Sequence, residues 1–235
     1  MFTRCVGLMD GSTYARRRRR VALVSAIGLA FILSLMPLIA SGADTNSVPL
    51  KLHKHWVRWA FGESGAPLLR PHFCGEQVGS DFYLTVAGGA PTSVRRVLDC
   101  DVPSGVSILV TPGGSISWAP SDGRTANQLH EDLFRALSRL LVGSVRLTLD
   151  GDPIDAGPLV APDPYSLHLE PGNLIQTVDP AVKGSSTRIA EAWYFALISP
   201  LASGDHVLVA ADTYDYTASG GGIVTYRTRF KLHVA

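Results

Sequence analysis

Residues 224–234 read Val-Thr-Tyr-Arg-Thr-Arg-Phe-Lys-Leu-His-Val, and the alternation is unbroken. Val224, Tyr226, Thr228, Phe230, Leu232 and Val234 share one parity, while Thr225, Arg227, Arg229, Lys231 and His233 share the other. Successive side chains of a strand point to opposite faces, so this stretch turns one apolar and one basic face outward. It predicts a long, half-buried antiparallel strand.

Upstream, Ala192–Ile198 and His206–Ala211 are apolar runs around Pro200, Ser203, Gly204 and Asp205, and they predict a hairpin. Asp81–Ala87, Val94–Val102 and Val106–Val110 are short β-rich runs. Gly88-Gly89-Ala90-Pro91 and Pro103-Ser104-Gly105 separate them as turn clusters. Leu98, Cys100 and Val102 share a parity that points Cys100 inward. Val145–Leu149 is a further strand, ended by Asp150-Gly151, a dipeptide suited to the positive φ of a tight hairpin. Many short strands with frequent turns imply a mainly β fold, an antiparallel β-sandwich of Ig-like or jelly-roll type.

One amphipathic helix accompanies it. Thr125 and Gln128 have the spacing of a capping box, Leu129, Leu133, Leu137, Leu140 and Leu141 follow at helical spacing, and Gly143 can end the helix. Such a helix plugs one end or face of a sandwich. Between Ala156 and Pro180 there are five prolines, and Leu167–Leu169 and Leu174–Val178 are expected as short edge strands. With no internal repeat and no long linker, residues 44–235 read as a single domain.

Composition narrows the class. The 235 residues are 46% hydrophobic and 17% charged, which argues against disorder and against a coiled coil. Six of the 21 basic residues and one of the 20 acidic residues precede Asp44, leaving 15 against 19 beyond it. That balance carries no nucleic-acid footprint.

Residues 1–43 read as an address. Arg16–Arg20 precede the uncharged stretch Val21–Ala40, and Ser41, Gly42 and Ala43 place small residues at −3 and −1 of a cut before Asp44. This is the layout of a signal peptide. The apolar stretch is also long enough for an uncleaved membrane anchor, with residues 21–40 as the only contact with the bilayer, although Pro37 shortens its effective length. Five arginines without the rest of a twin-arginine motif support that route only weakly. Either way the positive-inside rule exports the C-terminal part, which is therefore expected to be secreted or extracytoplasmic. Cys5 lies within the address. Cys74 and Cys100 remain as an even pair, one disulfide in an oxidising compartment or two buried thiols in a reducing one.

Trp56 and Trp59 open an ordered series that continues with Cys74-Gly75, Gln77, Gly79, Phe82-Tyr83-Leu84 and Ala87-Gly88. Arg96, Cys100, Val102-Pro103, Gly105, Asp150-Gly151, Pro200-Leu201, Gly204 and His206 complete it. The series resembles a group of secreted bacterial all-β proteins of unknown function. The resemblance implies export, the Cys74–Cys100 pairing and a sandwich, and it supplies no activity.

Candidate chemistry is sparse. Gly62-Glu63-Ser64-Gly65-Ala66 approaches a nucleophile elbow but has Ala at the last position and prolines after it, so a Gly/Ser loop is the better reading. Trp56–Phe61 fits a strand before that loop. His53 and His55 would share a side if extended, yet two imidazoles are not a metal site, and a solvated tail is expected. Asp205, Asp212 and Asp215 lie at strand tips without a calcium-loop spacing and read as turn caps. Trp56, Trp59 and Trp193 are expected in the core, whereas Trp118, Tyr214 and Tyr216 fall in predicted loops and are the candidate ligand-binding residues. No catalytic residue, metal or cofactor is expected. The leading reading is a non-enzymatic exported binding domain whose partner is a cell-envelope glycan or protein. A secreted hydrolase using His130, His168 or His206 with an Asp and a Ser is the first alternative, and a structural membrane-anchored envelope protein is the second.

Overall fold

Ten strands build the described part of the computed structural model, which covers residues 48–70, 72–85 and 92–235. All of these residues fall within the compact unit Asn46–Ala235. The basic block, the apolar stretch and the expected cut before Asp44 lie outside the described residues, as does the Gly/Pro segment of residues 88–91. In chain order the strands are β1 (Gly75–Val78), β2 (Asp81–Leu84), β3 (Val94–Val102), β4 (Ser107–Trp118), β5 (Arg146–Leu149), β6 (Asp152–Pro153), β7 (Tyr165–His168), β8 (Ser186–Ile198), β9 (Gly204–Asp215) and β10 (Ile223–Val234). Sheet I has the order β1-β2-β4-β8-β7, and sheet II the order β3-β10-β9-β5-β6.

The alternation at the C-terminus is realised in full. Leu208, Ala210, Phe230, Leu232 and Val234 of sheet II meet Phe82, Leu84, Ile108, Val110, Ala196 and Ile198 of sheet I in one inter-sheet core. The opposite face of sheet I is covered as well. Tyr83, Leu109, Trp193 and Phe195 pack beneath α1 (Leu50–Val57), a π-helical turn over Arg58–Gly62, and α3 (Leu174–Val178). A strand buried on both faces has no polar side to alternate, which is why the second half of β8, Ala192–Ile198, reads as a continuous apolar run.

Trp56 and Trp59 hold this cover in place. They lie three residues apart on one helical face, both fully buried. The Trp56 indole donates to the Leu84 carbonyl at 3.2 Å and the Trp59 indole to Glu76 at 2.5 Å. Trp56 also meets Trp193 and Phe195 edge-on, each at 5.4 Å. Trp56–Phe61 is therefore helical, not a strand, and Leu174–Val178 is a capped helix, not an edge strand. The Asn173 side chain accepts from the Gln176 N–H at its start. Two short helices thus join the one that periodicity predicted.

That predicted helix, α2 (Ala126–Leu137), carries the full capping box between Thr125 and Gln128. Leu129 and Leu133 pack on Ala190 and Ala192 at one end of sheet I. The helix stops before Leu140, which forms a β-bridge with Tyr214, so Gly143 does not terminate it.

Two further expectations change. Ala192–Ile198 and His206–Ala211 are not a hairpin, because β8 belongs to sheet I and β9 to sheet II; the Pro/Ser/Gly segment between them crosses from one layer to the other. Pairing is antiparallel except where β3 runs parallel to β10 and β2 parallel to β4. The Asp150-Gly151 turn is as expected, with φ of 54° and 97° joining β5 to β6. Cys74 and Cys100 form a disulfide with a Cα–Cα distance of 5.6 Å. Cys74 precedes β1 at the edge of sheet I and Cys100 lies in β3 at the edge of sheet II, so the bond clamps the two layers.

Candidate functional site

Among the described residues no helix covers the outer face of sheet II, and register fixes what that face displays. Arg227 of β10 stands opposite Arg95 of β3 on one side and Ala211 of β9 on the other, and Ala211 stands opposite Arg146 of β5. Three guanidinium side chains thus share one cross-strand row, with Arg229 two residues along beside Val97 and Val209. All four arginines are exposed and none makes an ion pair among the described residues. Like charges directly opposite each other weaken a sheet. One end of the same face is neutralised instead: Lys231 meets Asp99 at 3.1 Å and His233 meets Asp205 at 2.8 Å. The hydrogen bond to Asp205 raises the His233 imidazole above its usual value.

On the other flank of the arginine row lies a line of hydroxyls. Thr213 and Thr225 pair at 3.1 Å, the Ser93 Oγ accepts from the Thr225 N–H at 3.0 Å, and the Ser144 Oγ accepts from the Thr213 N–H at 2.8 Å. The face therefore passes from ion pairs, through bare arginines, to hydroxyls.

The three sequence-predicted ligand residues separate. Tyr214 lies in β9, not a loop, and is buried; its hydroxyl donates to the Gly114 carbonyl at 2.6 Å. Tyr216 follows that strand, half-buried, stacked on Tyr214 at 6.1 Å with the Arg139 guanidinium 5.2 Å from its ring. Trp118 packs against the covered side of sheet I, and its indole donates to Asp179 at 2.8 Å. Tyr214 and Tyr216 are brought together, Trp118 packs elsewhere, and only Tyr216 offers part of its ring to solvent at that end of the sandwich.

Asp212 sits between the sheets in a small cavity that Thr85, Thr111, Tyr226 and Thr228 also line. Burial is the main cause that pushes its carboxyl up to about 7. The Thr228 hydroxyl, which lines the same cavity, is buried and has no hydrogen-bond partner among the described residues. Asp212 is thus a core carboxyl, not a turn cap. Asp215 does act as a cap, accepting from the Thr217 N–H at 2.8 Å.

His53 departs furthest from expectation. Because the segment is helical, His53 points inward with Trp56 and lies fully buried, 2.6 Å from the equally buried Glu191. The Tyr165 hydroxyl donates to the other Glu191 oxygen at 3.1 Å, and burial, aided by Glu191, raises its pKa. The signal was the spacing of His53, Trp56 and Trp59 rather than the His-Lys-His run itself. His55 is exposed on another side of α1.

The residues considered for hydrolysis do not assemble. His206 approaches Asp150 at 2.7 Å and the Ala202 carbonyl at 3.0 Å, so both ring nitrogens face acceptors. Those bonds raise its pKa and favour the doubly protonated ring, a poor general base. His130 sits beside Phe134 on α2, and His168 is exposed on β7. Gly62-Glu63-Ser64 follows the π-helical turn and leads into a 3₁₀ turn at Pro67–Leu69, not the strand-to-helix corner of an elbow. Among the described residues there is no group of three His, Cys, Asp or Glu that could hold a metal, and no helix is long and apolar enough to cross a membrane.

No family model matches the chain, and no curated protein does. Among solved structures, a chain in the structure of PbICP-C in complex with falcipain-2 aligns with 10% identity over 64% of this chain and 98% of that chain. Its TM-score is 0.24, and a likeness of that size carries no argument about function.

Proposed function

We propose that this chain is an exported β-sandwich binding domain that turns the open face of sheet II toward a partner in the cell envelope or outside the cell. The observation that carries the reading is the unequal treatment of the two outer faces. Among the described residues, sheet I is roofed by helices and aromatic side chains, whereas nothing covers the outer face of sheet II and its four arginines have no acidic partners. A like-charge row costs stability, and an external partner is what relieves it. Export is supported by the basic block before an apolar stretch and by a disulfide between the layers, which persists in oxidising compartments.

Two measurements test this. Mass spectrometry of the exported protein should find its N-terminus at Asp44; a start upstream of residue 21 would make it membrane-anchored instead. A panel of neutral and anionic envelope polymers should contain one that the full-length protein retains, with retention reduced in an Arg95→Glu/Arg227→Glu variant. A chain confined to the cytosol, or one that retains none of the polymers, overturns the reading.

A further inference from the structure

We infer that the partner of the open face is an acidic polysaccharide, a single carboxylate-bearing glycan chain lying across the strands of sheet II. The inference rests on the binding-domain reading above and gives it a ligand class. Arg95, Arg227 and Arg146 occupy one row on β3, β10 and β5, with Ala211 of β9 as the small residue between the last two. Neighbouring strands lie about 4.8 Å apart, so the row spans roughly 14 Å. One strand spacing is close to the advance of one pyranose ring along a chain. Arg95 and Arg227 stand one spacing apart and Arg227 and Arg146 two, so the three guanidinium groups match carboxylates on the first, second and fourth rings, each held by two parallel hydrogen bonds.

The rest of the face fits a sugar better than other polyanions. Val97, Val209 and Ala211 give an apolar floor between the arginines, suited to the C–H faces of sugar rings. The hydroxyl line of Ser93, Thr213, Thr225 and Ser144 runs beside the row, about 7 Å along the strands, within reach of ring hydroxyls. The positive patch is narrow, the Arg95–Arg227–Arg146 row with Arg229 beside it, and residues 44–235 carry 19 acidic against 15 basic groups. A broad anionic surface such as a bilayer or a nucleic-acid duplex would extend past the arginines onto that acidic remainder, including Asp101 on the same sheet, whereas a single polymer strand would not.

The test uses the full-length protein in mild detergent at low ionic strength, with polygalacturonate as probe and dextran, phosphatidylglycerol vesicles and poly(dT) as comparators. Polygalacturonate is expected to bind and dextran is not. Binding should weaken roughly threefold for each of Arg95→Gln, Arg227→Gln and Arg146→Gln, about 30-fold for the triple variant, and vanish near 0.5 M salt. Arg135→Gln, on α2, should leave it unchanged. Far-ultraviolet circular dichroism and an intact disulfide confirm folding of each variant. Tighter binding to vesicles or to poly(dT) than to polygalacturonate overturns the glycan assignment. Arginine-independent binding of dextran overturns it too, yet leaves the binding-domain reading standing. Failure to bind any of the four, together with failure across the envelope panel, removes both.

Discussion

Asp212→Asn should abolish a large part of the pH dependence of this domain's stability. Asp212 is 4% exposed, and its carboxyl lies so close to Gly113 that a Cβ added there would come within 2.7 Å of Oδ2. Burial raises its pKa from 3.8 to about 7. Each pH unit between the folded and unfolded values corresponds to about 1.4 kcal/mol, so the coupling amounts to about 4 kcal/mol. The folded state holds the proton more tightly than the unfolded state. The stabilising contribution is therefore complete below about pH 4, shrinks as pH rises, and is gone above about pH 7. Asn keeps the shape and never ionises, so the variant should gain on the wild type by a few kcal/mol between pH 4 and pH 8. Asp122, raised to about 6 by burial, and His206, raised by its bond to Asp150, also make stability fall with rising pH. They act equally in both proteins, so the difference between the two isolates Asp212. Urea unfolding followed by circular dichroism at five pH values, with the disulfide intact, gives that difference. A gap constant to within about 0.5 kcal/mol across the range would refute the reasoning, since it would mean that water solvates the carboxylate as freely in the fold as outside it.

Replacing Cys74 and Cys100 together by Ser should lower stability by about 3–4 kcal/mol, the chain-entropy value for a 26-residue separation. Denaturant midpoints should show the same loss in the wild type under strong reductant, and an unchanged midpoint would contradict a clamping role. Glu191→Ala should cost about 3–5 kcal/mol by stripping the buried His53 of its partner, while His53→Phe combined with Glu191→Leu should recover most of that loss. Single and double variants compared by thermal unfolding decide it, because strictly additive losses would show that the pair is not coupled.

Much of the sandwich was readable before any coordinates. The period-two pattern of β10, the Asp150-Gly151 turn and the Thr125/Gln128 box each depend on residues within a few positions of one another. The stretch from Trp56 to Phe61 was less informative: its apolar residues are dense enough to satisfy either a helix or a strand, and short apolar runs do not distinguish the two. His53, close to the expected processed end, reads as a tail residue, whereas the helix turns it inward to meet Glu191, 138 positions away. Asp212, Thr213 and Asp215 surround Tyr214 with turn-forming residues, which locally favours a loop. Sheet pairing overrode that tendency, since β9 extends to Asp215.

The arginine row shows where local reading stops. Arg95, Arg146 and Arg227 are ordinary surface residues in three separate segments, and nothing near any of them marks the other two. Alternation tells which side of a strand each residue occupies, because the pleat repeats every two residues whatever the partner. Which strand lies beside which, and in what register, depends on how the apolar faces of all ten strands find burial together. The Pro/Ser/Gly segment after β8 could equally close a hairpin or step between layers, and only the competition for the inter-sheet core selected the step. Inside and outside were thus settled along the chain, by the chemistry of near neighbours. The meeting of three positive charges on one open face was settled across it, by the packing of segments that share no local signal.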